Sequence, residues 1–92
     1  MEIRVKKVNT KGVSADEVIR VLNANIGWSI VISDQKEAET AFRQMDTNLA
    51  GYYGDEITVC ELYDNDGKLV KKTDLAFELN GKTIFASLVL QF

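Results

Sequence analysis

The residues of this chain best suited to chemistry are the carboxylates and aromatic rings between Asp34 and Asp66. Asp55 and Glu56 follow two adjacent tyrosines, Tyr52 and Tyr53, and Glu37, Glu39 and Asp46 stand on a helical stretch just before them. Paired carboxylates can perform acid–base catalysis when one is held protonated and the other ionised. Nothing in the spacing of Asp55, Glu56, Glu61, Asp64 and Asp66 selects such a pair. The chain has no histidine and a single cysteine, Cys60. That removes the usual proton carrier at neutral pH, every histidine-based triad and almost every zinc site. Cys60 stands between Val59 and Glu61 with no cationic neighbour in sequence, and reads as a buried structural thiol. The expectation is a protein without catalytic residues, cofactor or metal, and therefore not an enzyme.

Two short motifs dissolve on inspection. Gly51-Tyr52-Tyr53-Gly54 has the outline of a loop that clamps a nucleic-acid backbone. It carries no lysine or arginine and runs into Asp55-Glu56, and acids beside phosphates oppose binding. Asp64-Asn65-Asp66-Gly67 begins like a calcium loop, but the twelfth position is Leu75, which cannot coordinate. A hairpin turn is the better reading. The glycines at 12, 27, 51, 54, 67 and 81 never take a phosphate-loop spacing.

Net charge is −3, and it is segregated. Residues 1–12 carry four bases against one acid, residues 13–66 eleven acids against three bases, and residues 67–92 four bases against two acids. An acidic middle suits a partner with a basic surface. Lys6, Lys7 and Lys11 with Lys71, Lys72 and Lys82 would form a basic patch if the first strand lay beside the last third of the chain. Lysines also guard sheet edges against unwanted pairing, and that reading is preferred.

The elements that must position these residues are well signalled. An apolar fraction of 46% with 27% charge argues for a globular rather than a disordered chain, and 92 residues are read as one domain, 1–92. Glu2–Val8 alternates as a strand. Ser14-Ala15-Asp16-Glu17 has capping-box spacing and opens a helix to about Asn25, with Ala15, Val18, Ile19, Leu22 and Ile26 as its apolar stripe and Gly27 as its stop. Trp28–Ser33 is apolar on both faces and reads as an interior strand. Asp34-Gln35-Lys36-Glu37 caps a second helix with the stripe Ala38, Ala41, Phe42, Met45 and Leu49, ending at Gly51. Glu56–Asp64, then Lys68–Leu79 with an interruption near Thr73-Asp74, then Thr83–Phe92 form a meander, with turns at Asn65-Asp66-Gly67 and Asn80-Gly81. The expected fold is α+β: a two-layer β-α-β-α-β-β-β, with a mixed five-stranded sheet, two helices on one face and a C-terminal antiparallel meander.

No apolar run reaches membrane-spanning length, the N-terminal residues alternate apolar and charged, and one cysteine cannot form an internal disulfide. A cytoplasmic location without membrane contact is expected. The functional expectation is a protein-binding module with Glu37, Glu39, Asp46, Tyr52, Tyr53, Asp55 and Glu56 facing a basic protein. In size and charge the chain resembles the compact acidic proteins with which phages and mobile elements inhibit host nucleic-acid-handling defence proteins; the likeness is one of type, not of motif. The alternatives are a small nucleic-acid-binding domain using lysines of the terminal strands, and an enzyme subunit with carboxylate chemistry. Self-association through an edge strand, with Thr83–Phe92 as the candidate, completes the list of expected contacts.

Overall fold

A computed structural model describes residues 1–24 and 27–85. Within them the chain runs β1 (Glu2–Asn9), α1 (Ala15–Asn23), β2 (Trp28–Val31), α2 (Gln35–Leu49), β3 (Gly51–Tyr53), β4 (Glu56–Tyr63), β5 (Leu69–Lys72), β6 (Ala76–Leu79) and β7 (Lys82–Phe85). The fold is α+β. Five strands form one sheet in the order β2-β1-β4-β3, with β5 also on β4, and β6 and β7 form a separate hairpin.

The sheet is organised around β4. β1 pairs with its whole length, from Glu2 opposite Tyr63 to Asn9 opposite Glu56. Its other edge is shared, with β3 along residues 56–58 and β5 along residues 61–63. Every residue from Ile57 to Leu62 is buried. The described pairings are all antiparallel rather than mixed, because each helix returns the chain beside its starting strand or across the sheet without a parallel crossover.

The helices lie on opposite faces of this sheet, not on one. Directly opposed residues in an antiparallel pair share a face. Ile3, Val5, Cys60 and Leu62 therefore point one way, and they pack with Ala38 and Phe42 of α2. Val8, Ile57 and Val59 point the other way, and they pack with Val18 and Leu22 of α1 and with Phe77, Leu79 and Ile84 of the β6–β7 hairpin. The helical stripes were read correctly at Val18, Leu22, Ala38 and Phe42, which are buried, whereas Leu49 at the end of α2 is exposed. A stripe shows which side of a helix is apolar but not which face of a sheet it meets. The deciding signal is that β1 and β4 carry apolar residues at both odd and even positions, as strands covered on two sides do.

Other boundaries shift for local reasons. α1 ends at Asn23 and is capped by Ala24, in extended conformation, three residues before Gly27. Ser14 accepts from the Glu17 amide, but the Glu17 carboxylate turns to Arg20 instead of closing the capping box. Ile26 lies outside the described residues. Trp28–Val31 is an edge strand rather than an interior one, and all four of its residues are exposed. The Tyr52-Tyr53 segment is a strand, β3, not a loop. The expected last strand is β7 over Lys82–Phe85, paired with β6 and outside the main sheet, and its continuation over 86–92 lies outside the described residues. The Asn80-Gly81 turn has both residues at positive φ, 52° and 78°, as a type I′ hairpin needs. The Asp64 carboxylate closes the turn between β4 and β5 by accepting from the Asp66 and Lys68 amides, which is the work of a hairpin residue. Among the described residues no helix is long and apolar enough to cross a membrane.

One charged pair is sealed beneath α1. Lys6 Nζ lies 3.1 Å from Glu61 Oε1, with both side chains less than a tenth exposed. Lys6 also donates to the Leu22 carbonyl, 3.0 Å away in the last turn of α1. A lysine there satisfies a carbonyl that the helix leaves unpaired. Among the described residues no aligned hydrogen bond reaches Glu61 Oε1, and its pairing with Lys6 is Coulombic. Removing one partner strands a buried charge, at a cost of about 3–5 kcal/mol, whereas apolar replacement of both is close to neutral. Urea unfolding should show Lys6→Met and Glu61→Leu each losing stability on that scale and the double variant recovering most of it. Additive losses in the double variant would show that the pair is not coupled.

Candidate partner-binding surface

The hairpin joining β3 to β4 carries four of the seven residues expected to bind a partner. Tyr52 pairs with Ile57 and Tyr53 with Glu56, around a turn at Gly54 and Asp55. The two tyrosines diverge because successive strand residues face opposite sides. Tyr52 is half-buried against the core beneath α1. Tyr53 is 68% exposed, and Asp55 and Glu56 are exposed beside it. Tyr53 lies over Gly51: a Cβ at Gly51 would come within 2.5 Å of its ring, and Gly51 holds φ 148°. A side chain at Gly51 would displace the ring and strain the backbone.

The backbone of this tip is held in place. The Thr10 amide donates to the Asp55 carbonyl at 2.7 Å. The buried Thr10 hydroxyl lies 3.0 Å from the same carbonyl and 3.0 Å from the Tyr52 hydroxyl. Tyr52 donates to Thr10 and Thr10 donates to Asp55, which satisfies all three groups. The main chain of Asp55 is thus tied to the turn after β1 while its carboxylate points to solvent. A fixed backbone lowers the ordering cost of binding.

The other three acids lie elsewhere. Glu37 and Glu39 are near the start of α2, and Glu39 is about 15 Å along the helix from Leu49, at 1.5 Å per residue. Glu37 is exposed, while half-buried Glu39 lines a cleft of about 260 Å³ with Ser33, Gln35, Asp64, Asn65 and Val70. Asp46 turns inward, its Oδ1 accepting from the Thr73 hydroxyl at 2.5 Å. The acids therefore fall into two separate surfaces, with Asp46 between them engaged in holding the fold. The lysines are divided as well. Lys6 is buried against Glu61, whereas Lys7, Lys11, Lys71 and Lys82 are exposed.

Cys60 is enclosed in the same network as Asp46. The Thr73 hydroxyl accepts from the Cys60 amide at 2.7 Å, and the Thr73 amide donates to the Cys60 carbonyl at 2.9 Å. Burial, then the charges of Asp46 and Glu61, push the Cys60 thiol from an ordinary 9.0 up to about 11. Burial and the Glu61 carboxylate also raise the Tyr63 phenol, although the Arg4 guanidinium, 4.1 Å over its ring, pulls it back. Among the described residues no three of Cys, Asp and Glu converge where a metal ion would sit.

The surface that sequence reasoning missed is β2. Trp28, Ile30 and Val31 are 48%, 39% and 76% exposed on the outermost strand. The apolar pattern of the strand suggested an interior position, although Trp28 is among the aromatic residues expected to reach the surface. The Val21–Ser33 run holds no charged residue, so it carries none of the edge lysines seen elsewhere in the chain and gave no sign of an edge.

No protein-family model, curated protein or solved structure matches this chain.

The thiol sets a pH dependence. Its unfolded form ionises near 9.0 and its folded form near 11, so the folded state holds the proton more tightly. The stability it supports is fully present below pH 9 and is lost as pH rises from 9 to 11. Chemical unfolding across that range should show the decline in the wild type and a smaller one in Cys60→Ala. Equal slopes would place the titration on another group.

Proposed function

We propose that this protein is a non-enzymatic binding module that meets a basic protein surface through the tip of the β3–β4 hairpin. The observation that carries this reading is the pairing of an exposed Tyr53 ring with the Asp55 and Glu56 carboxylates on a backbone fixed by Thr10. Exposed tyrosines give contact area at little entropic cost, and they are enriched where interfaces concentrate their energy. The neighbouring acids attract a basic partner and raise its association rate. Glu37 and Glu39, at the far end of α2, form a second acidic contact for a partner wide enough to span both. A protein that handles nucleic acid offers such a surface, so the acids would stand in for phosphates and the module would act as its inhibitor. The segregated charge, with eleven acids against three bases over residues 13–66, supports that partner class.

The nucleic-acid-binding alternative has less support, since Lys6 is committed to Glu61 beneath α1. The test compares the wild type with Asp55→Lys/Glu56→Lys and with Tyr53→Ala as baits in lysate, eluted in rising salt. A basic protein captured by the wild type should be lost with the charge-reversed bait. The purified pair should weaken on the order of tenfold or more with Tyr53→Ala, which corresponds to about 1.4 kcal/mol. Both variants should unfold at the wild-type denaturant concentration, because these side chains are exposed. Equal capture by all three baits would overturn the assignment to the hairpin tip.

A further inference from the structure

We propose that the hairpin tip recognises an arginine side chain of its partner, in a seat made by the Tyr53 ring and the Glu56 carboxylate; this inference rests on the assignment of the tip as the contact surface. Tyr53 and Glu56 are direct cross-strand partners at the end of β3 and the start of β4. Such partners point to the same face of the sheet, with Cβ atoms about 5 Å apart. The Tyr53 ring lies over Gly51, where a Cβ would displace it, and stays 68% exposed. Glu56 is exposed as well. Among the described residues neither side chain has a hydrogen-bond or ion-pair partner. Asn9, opposite Glu56 on β1, instead accepts from the Lys11 amide. Lys7 shares this face, because Gly51 pairs with Thr58 and Thr58 with Lys7, yet it makes no ion pair with Glu56 among the described residues.

The protein shows elsewhere what a tyrosine and a glutamate so placed take up. Glu2 and Tyr63 are the same kind of cross-strand pair, at the other end of β4. There an arginine fills the seat: the Arg4 guanidinium lies 4.1 Å over the Tyr63 ring, and its Nε donates to Glu2 Oε1 at 3.0 Å. One guanidinium thus stacks on the ring and pairs with the carboxylate beside it. The tip repeats the tyrosine and the carboxylate, and among the described residues no arginine completes it. Asp55, in the turn, adds a second exposed carboxylate. The chemistry favours arginine over lysine. A guanidinium is planar and weakly hydrated, so it stacks on an aromatic face while its fork of donors engages a carboxylate. An ammonium is a compact, strongly hydrated point charge, and it gains less from the ring.

Hexa-arginine and hexa-lysine carry equal charge, and each would be titrated at low salt into the isotope-labelled protein, with the Tyr53 and Glu56 resonances followed by NMR. The expected result is a dissociation constant lower for hexa-arginine by about fivefold or more, the worth of an exposed cation–π contact. Tyr53→Phe should keep that preference, because the ring face remains. Tyr53→Leu should remove it and leave both peptides at the hexa-lysine affinity. Tyr53 is exposed, so both variants should keep the wild-type spectrum away from the tip. Equal affinities in the wild type, both lost in Asp55→Lys/Glu56→Lys, would overturn the arginine seat and leave the hairpin-tip reading standing. A preference that survives Tyr53→Leu, or shifts that map away from Tyr53 and Glu56, would overturn the seat as well. A Tyr53-dependent preference for hexa-arginine beside equal lysate capture by all three baits would support the seat and overturn the basic-protein reading alone.

Discussion

The structure depends on covering the β1–β4 ribbon from both sides. These strands pair over eight positions, and their apolar residues occur at both odd and even positions. One layer of helices cannot cover both faces. α2 covers the end around Ile3, Val5, Cys60 and Leu62, while α1 and the β6–β7 hairpin cover the end around Val8, Ile57 and Val59 on the other side. Each fully buried aliphatic side chain contributes roughly 1.5–3 kcal/mol relative to exposure. Opposite placement of the helices lets the short ribbon use both of its faces for that gain.

Two-sided burial also encloses polar groups, and Lys6, Glu61 and Thr73 hold structural positions among them. Lys6 is nearly sealed from water beneath α1, where it pairs with Glu61 and holds the last turn of the helix through the Leu22 carbonyl. On the opposite face Thr73 joins three elements, bonding Cys60 of β4 and Asp46 of α2 as the chain leaves β5. These contacts fix how the helices sit on the sheet, which apolar packing alone specifies less sharply. They also remove Lys6, Asp46 and Cys60 from the surface, so that neither a basic patch nor an acidic face includes every residue of the matching charge.

Tyr53 and Trp28 are left exposed at the margins of the sheet. The interior ribbon is covered, and the β5 edge carries lysines. The hairpin tip with Tyr53, Asp55 and Glu56 lies at one margin and the uncharged β2 strand at the other.

What the sequence determined by itself was local. The α+β class, both helical stripes, the Ser14 and Asp34 caps, the Asn80-Gly81 turn and the break before Leu75 follow from periodicity and backbone preference, which act over a few residues. The diverging fates of Tyr52 and Tyr53 needed the strand pairing of β3, and a three-residue strand gives too short a pattern to read in advance. Only the tertiary structure decided that Trp28–Val31 is an edge, that the helices face opposite ways, and that Lys6 finds Glu61. These are contacts between residues distant in the chain, set by how the faces of the sheet are shared among competing elements. An apolar strand looks the same in sequence whether it is buried at the centre of a sheet or left open at its margin.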